Sequence, residues 1–88
     1  MPALLGLEKT AFLSKENDNK VDIFALKYNF SAREREVFSE VIKGNSNSKI
    51  ASNLFITENT VKFHMKNILK KTSAANRKEL LELFIDIK

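Results

Sequence analysis

The sequence predicts an all-α fold, and two observations support that prediction. Its 88 residues include only two glycines and one proline, which leaves little material for the tight turns that connect strands. Apolar residues instead recur at helical spacing in several segments, and residue types that cap helices precede them. Because a chain of this length supports one small domain with a modest core, we expect several short helices packed together.

The composition excludes several classes of chemistry. There is no cysteine, which excludes a disulfide framework, a thiolate metal site and a cysteine nucleophile. His64 is the single histidine and cannot form a zinc site alone, because such sites need several ligands. The sequence has no glycine-rich phosphate loop, no paired carboxylates on a predicted cleft and no Ser/His/Asp set. We therefore expect a binding module that is not an enzyme and has no catalytic residue, metal site or cofactor.

No segment is long and apolar enough to predict a membrane anchor or a secretory signal. Near the start of the chain, the longest purely apolar run is residues 3–5. With 43% hydrophobic and 30% charged residues, the composition is that of an ordinary soluble protein. We therefore expect a cytoplasmic protein that makes no membrane contact.

Residues 1–29 are interpreted as a leader or linker, helical in part, ahead of a compact unit at residues 30–88. Residues 1–30 carry four basic and four acidic side chains and so have no net charge. Residues 16–20 form a polar linker, and residues 21–30 suit either a helix or a strand, of which we favour the helix. An earlier amphipathic helix is indicated by Leu4, Leu7, Ala11 and Phe12. A leader of this kind suggests that the chain is a piece of a longer protein.

Four amphipathic helices are predicted in the compact unit, at about residues 32–43, 47–54, 58–72 and 77–87. Ser31 and Glu34 form a capping box at the start of the first helix, and Gly44 ends it. Residue types that cap helices also stand before the other three, at Ser46, Thr57 and Asn76.

The positive charge of the chain is concentrated on and around the third of these helices. Residues 57–78 hold six basic side chains and one acidic one, whereas the net charge of the whole chain is +4. The apolar residues of this helix lie on one face. The opposite face and its flank carry Asn59, Lys62, Phe63, Lys66, Asn67 and Lys70. A localised positive stripe is typical of proteins that bind polyanions, although a lysine-rich face can also be a solvated surface only.

A short helix joined through residues 55–57 to a longer helix with a basic outer face is the layout of a helix-turn-helix DNA reader. The major groove admits one α-helix, whose lysines neutralise phosphates while other outer side chains reach base edges. Phe63 lies in the middle of the basic face, where it contacts a thymine methyl group or packs against the leader. His64 lies at the edge of the apolar face and is interpreted as a packing or phosphate-facing residue.

Four parts of the sequence carry a family resemblance: residues 30–37 (FSAREREV), 44–51 (GNSNSKIA) and 54–64 (LFITENTVKFH), and then Asn67, Ile68, Lys71 and Arg77. They lie in register without gaps and extend over about two-thirds of the chain. Through them, residues 30–85 resemble the helix-turn-helix domain of the LuxR/FixJ family of bacterial transcription regulators, also called the NarL or GerE type.

This resemblance implies a four-helix DNA-binding domain, which the helical leader precedes. The third helix would enter the major groove, with Lys62, Phe63 and Lys66 facing bases or phosphates. The starts of the second and third helices would lie near the DNA backbone. The predicted DNA-binding residues are Ser46, Asn47, Lys49, Thr57, Asn59, Thr60, Lys62, Phe63, Lys66, Lys70 and Lys71.

The last predicted helix is apolar over most of its circumference, which indicates burial on two sides. One interpretation is a homodimer, which the resemblance also implies. The predicted dimerisation residues are Leu80, Leu81, Phe84 and Ile85. The other interpretation is that residues 1–29 fold back over this helix.

Some residues match charged family positions and others depart from the family pattern. Glu34 and Arg77 match such positions and are expected to pair with each other or with the backbone. Thr72 and Ala74 stand where family members usually carry Leu and Val, so we expect a less well packed turn before the last helix. Lys49 places a base where the family usually has an acid.

Together these observations predict a sequence-specific reader of double-stranded DNA that regulates transcription as a dimer on two half-sites. RNA polymerase is a candidate partner. Two alternatives use the same basic helix. One is a promoter-element reader resembling the last domain of a sigma factor, and the other is a module that binds an acidic protein.

Overall fold

Five helices make up the part of the chain that the computed structural model describes, residues 19–86. Residues 19–27 belong to helix α1, and the other helices are α2 (Ala32–Ile42), α3 (Asn47–Leu54), α4 (Glu58–Thr72) and α5 (Arg77–Asp86). Within this range there is no strand, which confirms the all-α prediction, and α2 to α5 begin at the predicted residues. None of the helices described is long and apolar enough to span a membrane.

The first helix differs in part from the sequence prediction. Asn19 and Lys20, which were assigned to a polar linker, are helical, and the helix favoured for residues 21–30 ends at residue 27. Val21 and Phe24 of the same helix are buried, and tertiary packing of this kind stabilises helical turns that contain polar residues. The rest of the predicted linker and the amphipathic helix predicted at residues 4–12 lie outside the described residues.

Side-chain caps define the helix starts, as the sequence predicts. Ser31 Oγ accepts a hydrogen bond from the Glu34 backbone N–H at 3.2 Å, and the Glu34 carboxylate accepts one from the Ser31 N–H at 2.8 Å. Ser46, Thr57 and Asn76 each accept from the backbone N–H three residues further on, at 3.2, 3.1 and 2.9 Å. The caps therefore satisfy N–H groups that have no partner inside their helices.

The turn between α3 and α4 contains a residue in the left-handed conformation. Phe55 has φ 58° and ψ 43°. Residues other than glycine and asparagine rarely adopt this backbone conformation. Its N–H donates to Ser52 O at 3.4 Å, and the Ile56 N–H donates to Ala51 O at 3.0 Å. These are the two hydrogen bonds of a Schellman motif, which ends α3 and turns the chain directly into α4.

Four phenylalanines join α1 and the chain after it to α2 and α5. Phe24 of α1 stacks on Phe38 of α2 with ring centroids 4.7 Å apart, and both rings meet Phe84 of α5 edge to face, at 5.7 and 5.4 Å. Phe30 lies edge-on to Phe24 and Phe38. These contacts cross the predicted boundary between residues 1–29 and 30–88, and that boundary stays a prediction.

Helix α4 is held against both α2 and α3, and it also contacts α5. Val61 and Ile68 are fully buried on its inner face, and Met65 and Leu69 pack beside them partly buried. This packing leaves the opposite face of α4 on the surface.

The turn before α5 contains the two positions at which we expected poorer packing. Thr72 and Ala74 are both buried. The Thr72 hydroxyl lies 3.0 and 3.2 Å from the carbonyl oxygens of Ile68 and Leu69, and the Ala74 N–H donates to it at 3.4 Å. The departure from the family residues therefore leaves the hydroxyl group hydrogen-bonded and out of solvent.

Candidate nucleic-acid interface

The outer face of α4 carries exposed cations around one aromatic ring. Lys62, Lys66 and Lys70 are exposed, and within residues 19–86 they make no ion pair. The Phe63 side chain is 60% exposed, and its ring lies edge-on to His64 at 5.5 Å. The side chains predicted to face DNA in the middle of α4 are therefore on one accessible surface, to which exposed Asn59 and half-buried Asn67 also belong.

The N-termini of α3 and α4 carry the other predicted contacts. Ser46 and Thr57 act as N-caps, and the Thr57 hydroxyl also lies 2.9 Å from that of half-buried Thr60. Lys49 is exposed, and Asn47 is half-buried. Helix N-termini favour anions because their free N–H groups and the helix dipole present partial positive charge. Both termini can thus bind phosphate, although the hydroxyl groups of Ser46 and Thr57 already accept the capping hydrogen bonds of α3 and α4.

Lys71 is engaged within the chain and does not belong to the free cationic face. Its ammonium group donates to Glu34 Oε1 at 2.6 Å and to the Asn29 carbonyl at 3.1 Å. Lys71 lies about 140° around the helix from Lys66, which turns it toward α2. The Lys71 ammonium group thus pairs with the buried carboxylate of Glu34, and the prediction that Lys71 binds DNA stays a prediction.

The ion pair affects how Glu34 titrates. Burial raises the pKa of Glu34, but the hydrogen bond and charge of Lys71 and the hydrogen bonds from Ser31 outweigh it, so the pKa lies below its ordinary value. Arg77 was expected to pair with Glu34 or with the backbone. It takes the backbone alternative, because its guanidinium donates to the Asn45 carbonyl.

The predicted dimerisation residues do not form one free surface. Leu80 is fully buried, and Phe84 is 8% exposed because it packs against Phe24 and Phe38. Leu81 is half-buried, and Ile85 is 76% exposed. Phe24 of α1 thus contacts Phe84 of α5, whereas Leu81 and Ile85 remain accessible, and dimerisation through α5 stays a prediction.

The structure also contains a polar cluster that the sequence analysis missed. Glu40 is buried, and its carboxylate accepts hydrogen bonds from Asn53 at 2.6 Å, Asn45 at 3.1 Å and Lys43 at 3.1 Å. The hydrogen bond from Asn53 lowers the pKa of Glu40, and those from Lys43 and Asn45 add to it against the effect of burial. A signal exists in the sequence, since Glu40 lies three residues after buried Val37 and so on the same side of the helix. Periodicity does not reveal its partners, however.

Metal binding finds no support in the same region. Between residues 19 and 86 there is no group of three or more His, Asp and Glu side chains placed to hold an ion. The chemistry that the surface offers is therefore that of ammonium groups, amides, helix N-termini and one exposed ring.

The chain is similar to known bacterial regulators. The sequence profile described as "Bacterial regulatory proteins, luxR family" (GerE) matches residues 28–84. Regulatory protein SdiA of Escherichia coli K12 is 39% identical over 77 residues, which are 88% of this chain and 31% of SdiA. A nitrate/nitrite response regulator protein homolog of Haemophilus influenzae is 36% identical over 82 residues, which are 93% of this chain and 34% of that protein. The uncharacterized transcriptional regulatory protein YhcZ of Bacillus subtilis is 46% identical over 50 residues, which are 57% of this chain and 23% of that protein.

The chain spans only about a third or less of the length of these relatives. No solved structure gives a significant match. The matched range contains α2, α3 and α4 and nearly all of α5, and it confirms the family resemblance of residues 30–85. The chain therefore belongs to the luxR family of bacterial regulatory proteins, and residues 28–84 are its helix-turn-helix DNA-binding domain.

Proposed function

We propose that this chain binds specific sequences of double-stranded DNA through α4 and regulates transcription by doing so. One observation carries the proposal: Lys62, Lys66 and Lys70 lie exposed on one face and make no ion pair within the described range. Lys71 on the same helix, by contrast, is neutralised within the chain. Free ammonium groups on a helix that fits the major groove can replace the counterions of DNA.

The residues on this surface differ in what they can read. Lys62 and Lys66 reach guanine edges or phosphates, and Phe63 between them suits the methyl group of thymine. The N-termini of α3 and α4 supply backbone N–H groups for phosphates, and contacts of that kind position a protein without reading sequence. Sequence specificity would therefore come from the side chains in the middle of α4, and the N-termini of α3 and α4 would fix the position of the protein on the duplex.

Selection from a random duplex library tests the proposal. The protein should enrich a subset of duplexes, and those should bind about a thousandfold or more tighter than scrambled duplexes of equal length. Affinity for both should fall linearly on a log–log plot against salt concentration. Equal affinity for enriched and scrambled duplexes at every salt concentration would contradict sequence-specific binding.

Replacing Lys66 by alanine tests its role. If Lys66 reads a base edge, Lys66→Ala should weaken binding to the enriched duplex by about 1–3 kcal/mol and relax the preference at one position. If it contacts phosphate only, affinity should fall uniformly and the salt slope should shrink by about 1. Lys20→Ala is the matched control, because Lys20 is an exposed helical lysine on α1. Equal effects of the two substitutions would remove Lys66 from the interface.

A homodimer is the second part of the proposal, and it now depends on Ile85 and half-buried Leu81. Two copies would bind half-sites about one helical turn apart. Sedimentation of the protein–DNA complex should show two copies per duplex, whereas Ile85→Glu should bind one copy. Ile23→Glu on α1 is the control, because Ile23 is also an exposed isoleucine. Two copies per duplex with Ile85→Glu would show that α5 does not form the dimer.

The alternative functions make different predictions for the same measurements. A module for an acidic protein would show no preference among duplexes, and a sigma-like reader would need RNA polymerase to select DNA. The relatives are regulators, which supports neither alternative. A DNA-binding regulator would act in the cytoplasm, with RNA polymerase as a candidate partner.

A further inference from the structure

The carboxylate of Glu40 accepts hydrogen bonds from the turn before α3 and from the last turn of α3. Asn45 directly precedes the N-cap of α3, and Asn53 lies in its last turn. Both side-chain amides donate to the same atom, Glu40 Oε1, at 3.1 and 2.6 Å. The other oxygen, Oε2, accepts from Lys43 at 3.1 Å. One buried group on α2 therefore contacts the beginning and the end of the neighbouring helix.

Asn45 is also held through its backbone. Its N–H donates to the Glu40 carbonyl at 3.3 Å, and its carbonyl accepts from the guanidinium of Arg77 on α5. The residue before the N-cap of α3 is thus bonded to α2 by side chain and main chain, and to α5 by its carbonyl. The direction in which α3 starts is therefore set by these contacts.

Apolar packing alone gives α3 little support. It has eight residues, of which only Ile50 and Ala51 are buried. An isolated helix of this length is unstable in water, so its orientation depends on tertiary contacts. The Glu40 side chain is only 9% exposed, and a charge this buried is costly unless it is hydrogen-bonded. Both oxygens meet that condition through bonds to α3, to the turn before it and to Lys43.

We propose that Glu40 is a positioning residue for DNA binding: it holds α3 so that the N-terminus of α3 meets the phosphates while α4 occupies the groove. The proposal rests on the proposed function and adds a residue that does not touch DNA. The change in DNA affinity expected on replacing Glu40 has the opposite sign to that of a simple charge effect. Removal of an acidic group that acts only through its charge strengthens binding to a polyanion, whereas loss of a positioning group weakens it.

Glu40→Gln and Asn53→Ala test this role, each with a matched control. Glu36→Gln makes the same charge change on α2, where Glu36 is exposed and pairs with Arg33 of its own helix. Ser52→Ala truncates an exposed polar neighbour of Asn53 whose side chain makes no hydrogen bond within the described residues. All variants are compared on the enriched duplex at a temperature where circular dichroism shows each to be folded.

The two test variants should each bind the enriched duplex about three- to tenfold more weakly than the wild-type protein, as expected for loss of a charge-assisted hydrogen bond. The salt slope should shrink by less than the value of about 1 expected for loss of one lysine contact, because no lysine is replaced. Glu36→Gln should bind as tightly as the wild-type protein or slightly more tightly. The double variant Glu40→Gln/Asn53→Ala should lose less than the product of the two single effects, because both act on one bond.

Amide hydrogen exchange provides a readout that does not involve DNA. In both test variants the amides of Ile50 and Ala51 should exchange faster, while those of Val61 and Ile68 in α4 should not. A wild-type protein with no duplex preference would overturn the proposed function. A wild-type preference that Glu40→Gln retains in full, or unchanged exchange in α3, would overturn the positioning role alone.

Discussion

Lys70 and Lys71 are neighbours in the sequence, but the structure gives them different environments. Lys70 is exposed without an ion pair in the described part of the chain, whereas Lys71 is bonded to Glu34 and to the Asn29 carbonyl. Side chains one residue apart on a helix point about 100° apart, so one faces solvent and the other faces α2. Charge counting along the sequence treats them alike.

We expect the two lysines to respond oppositely to replacement by methionine. Lys71→Met should destabilise the fold by about 1–3 kcal/mol, because it leaves the buried Glu34 carboxylate without its cation, and should leave the salt slope of DNA binding unchanged. Lys70→Met should have little effect on stability and should reduce that slope by about 1. Urea unfolding and a salt titration measure both. A reduced slope for Lys71→Met would restore it to the interface.

The backbone conformation of Phe55 costs free energy, and a substitution can reduce that cost. Its left-handed conformation is unfavourable for phenylalanine, and its side chain is 93% exposed, so little packing compensates. We expect Phe55→Asn to stabilise the protein by up to about 1 kcal/mol, because asparagine tolerates this region better. Phe63→Asn, at an exposed helical position, should give no such gain in thermal unfolding. Destabilisation by Phe55→Asn would show that the ring makes a contact within the chain.

The capping box of α2 and the last turn of α4 are stabilised by one side chain. Glu34 caps its own helix through the Ser31 N–H and pairs with Lys71 of α4. The ion pair between Glu34 and Lys71 also stabilises α4, because it joins the C-terminal end of α4 to the start of α2. Glu40 also joins two elements, because its carboxylate on α2 accepts hydrogen bonds from Asn53 of α3 and from Asn45 in the turn before α3.

Acid should weaken these links between helices. Because the pKa values of Glu34 and Glu40 are lower in the folded state than the ordinary 4.5, their contribution to stability is complete above that value and is lost as the pH falls through the lowered values. Urea unfolding should show that Glu34→Gln loses less stability than the wild-type protein between about pH 6 and about pH 3. The matched control is Glu36→Gln, which removes an exposed carboxylate of the same helix that pairs with Arg33 of α2 and not with another helix. Identical pH dependence in Glu34→Gln would contradict the assigned role.

At the scale of the whole molecule, α1 completes the core although the family profile begins only at residue 28. Phe24 is fully buried between rings of α2 and α5. Removal of this ring would leave a cavity at the centre of the aromatic cluster. The residues before the profile are thus part of the folded unit as far as the structure describes them.

Phe24→Ala should therefore destabilise the protein by about 3–5 kcal/mol, as large-to-small changes in cores do. Ile23→Ala on the same helix should cost far less, because Ile23 is 54% exposed. Thermal and urea unfolding of the two variants decide the matter. Equal losses would mean that α1 is not an integral part of the core.

Much of the fold can be predicted from the sequence because its signals are local. A capping box, an N-cap or a terminal glycine acts within a few residues, and one apolar stripe identifies the buried face of a helix. The starts of α2 to α5 and the outward position of Phe63 and the lysines around it follow from such patterns. The extent of α1 was less well predicted, because Asn19 and Lys20 are helical in a segment whose polar composition indicates a linker.

Contacts between residues far apart in the chain decide which charges pair and which apolar faces are covered. Lys71 meets Glu34 across 37 positions, and Asn53 meets Glu40 across 13. The apolar surface of α5 was visible in the sequence, but Phe24 and Phe38 determine that Phe84 is used inside the subunit. Periodicity identifies a face of a helix and does not identify its neighbour. Which charges are neutralised and which rings are covered therefore depends on how the helices pack, and that packing separates the free lysines of α4 from the one that holds it in place.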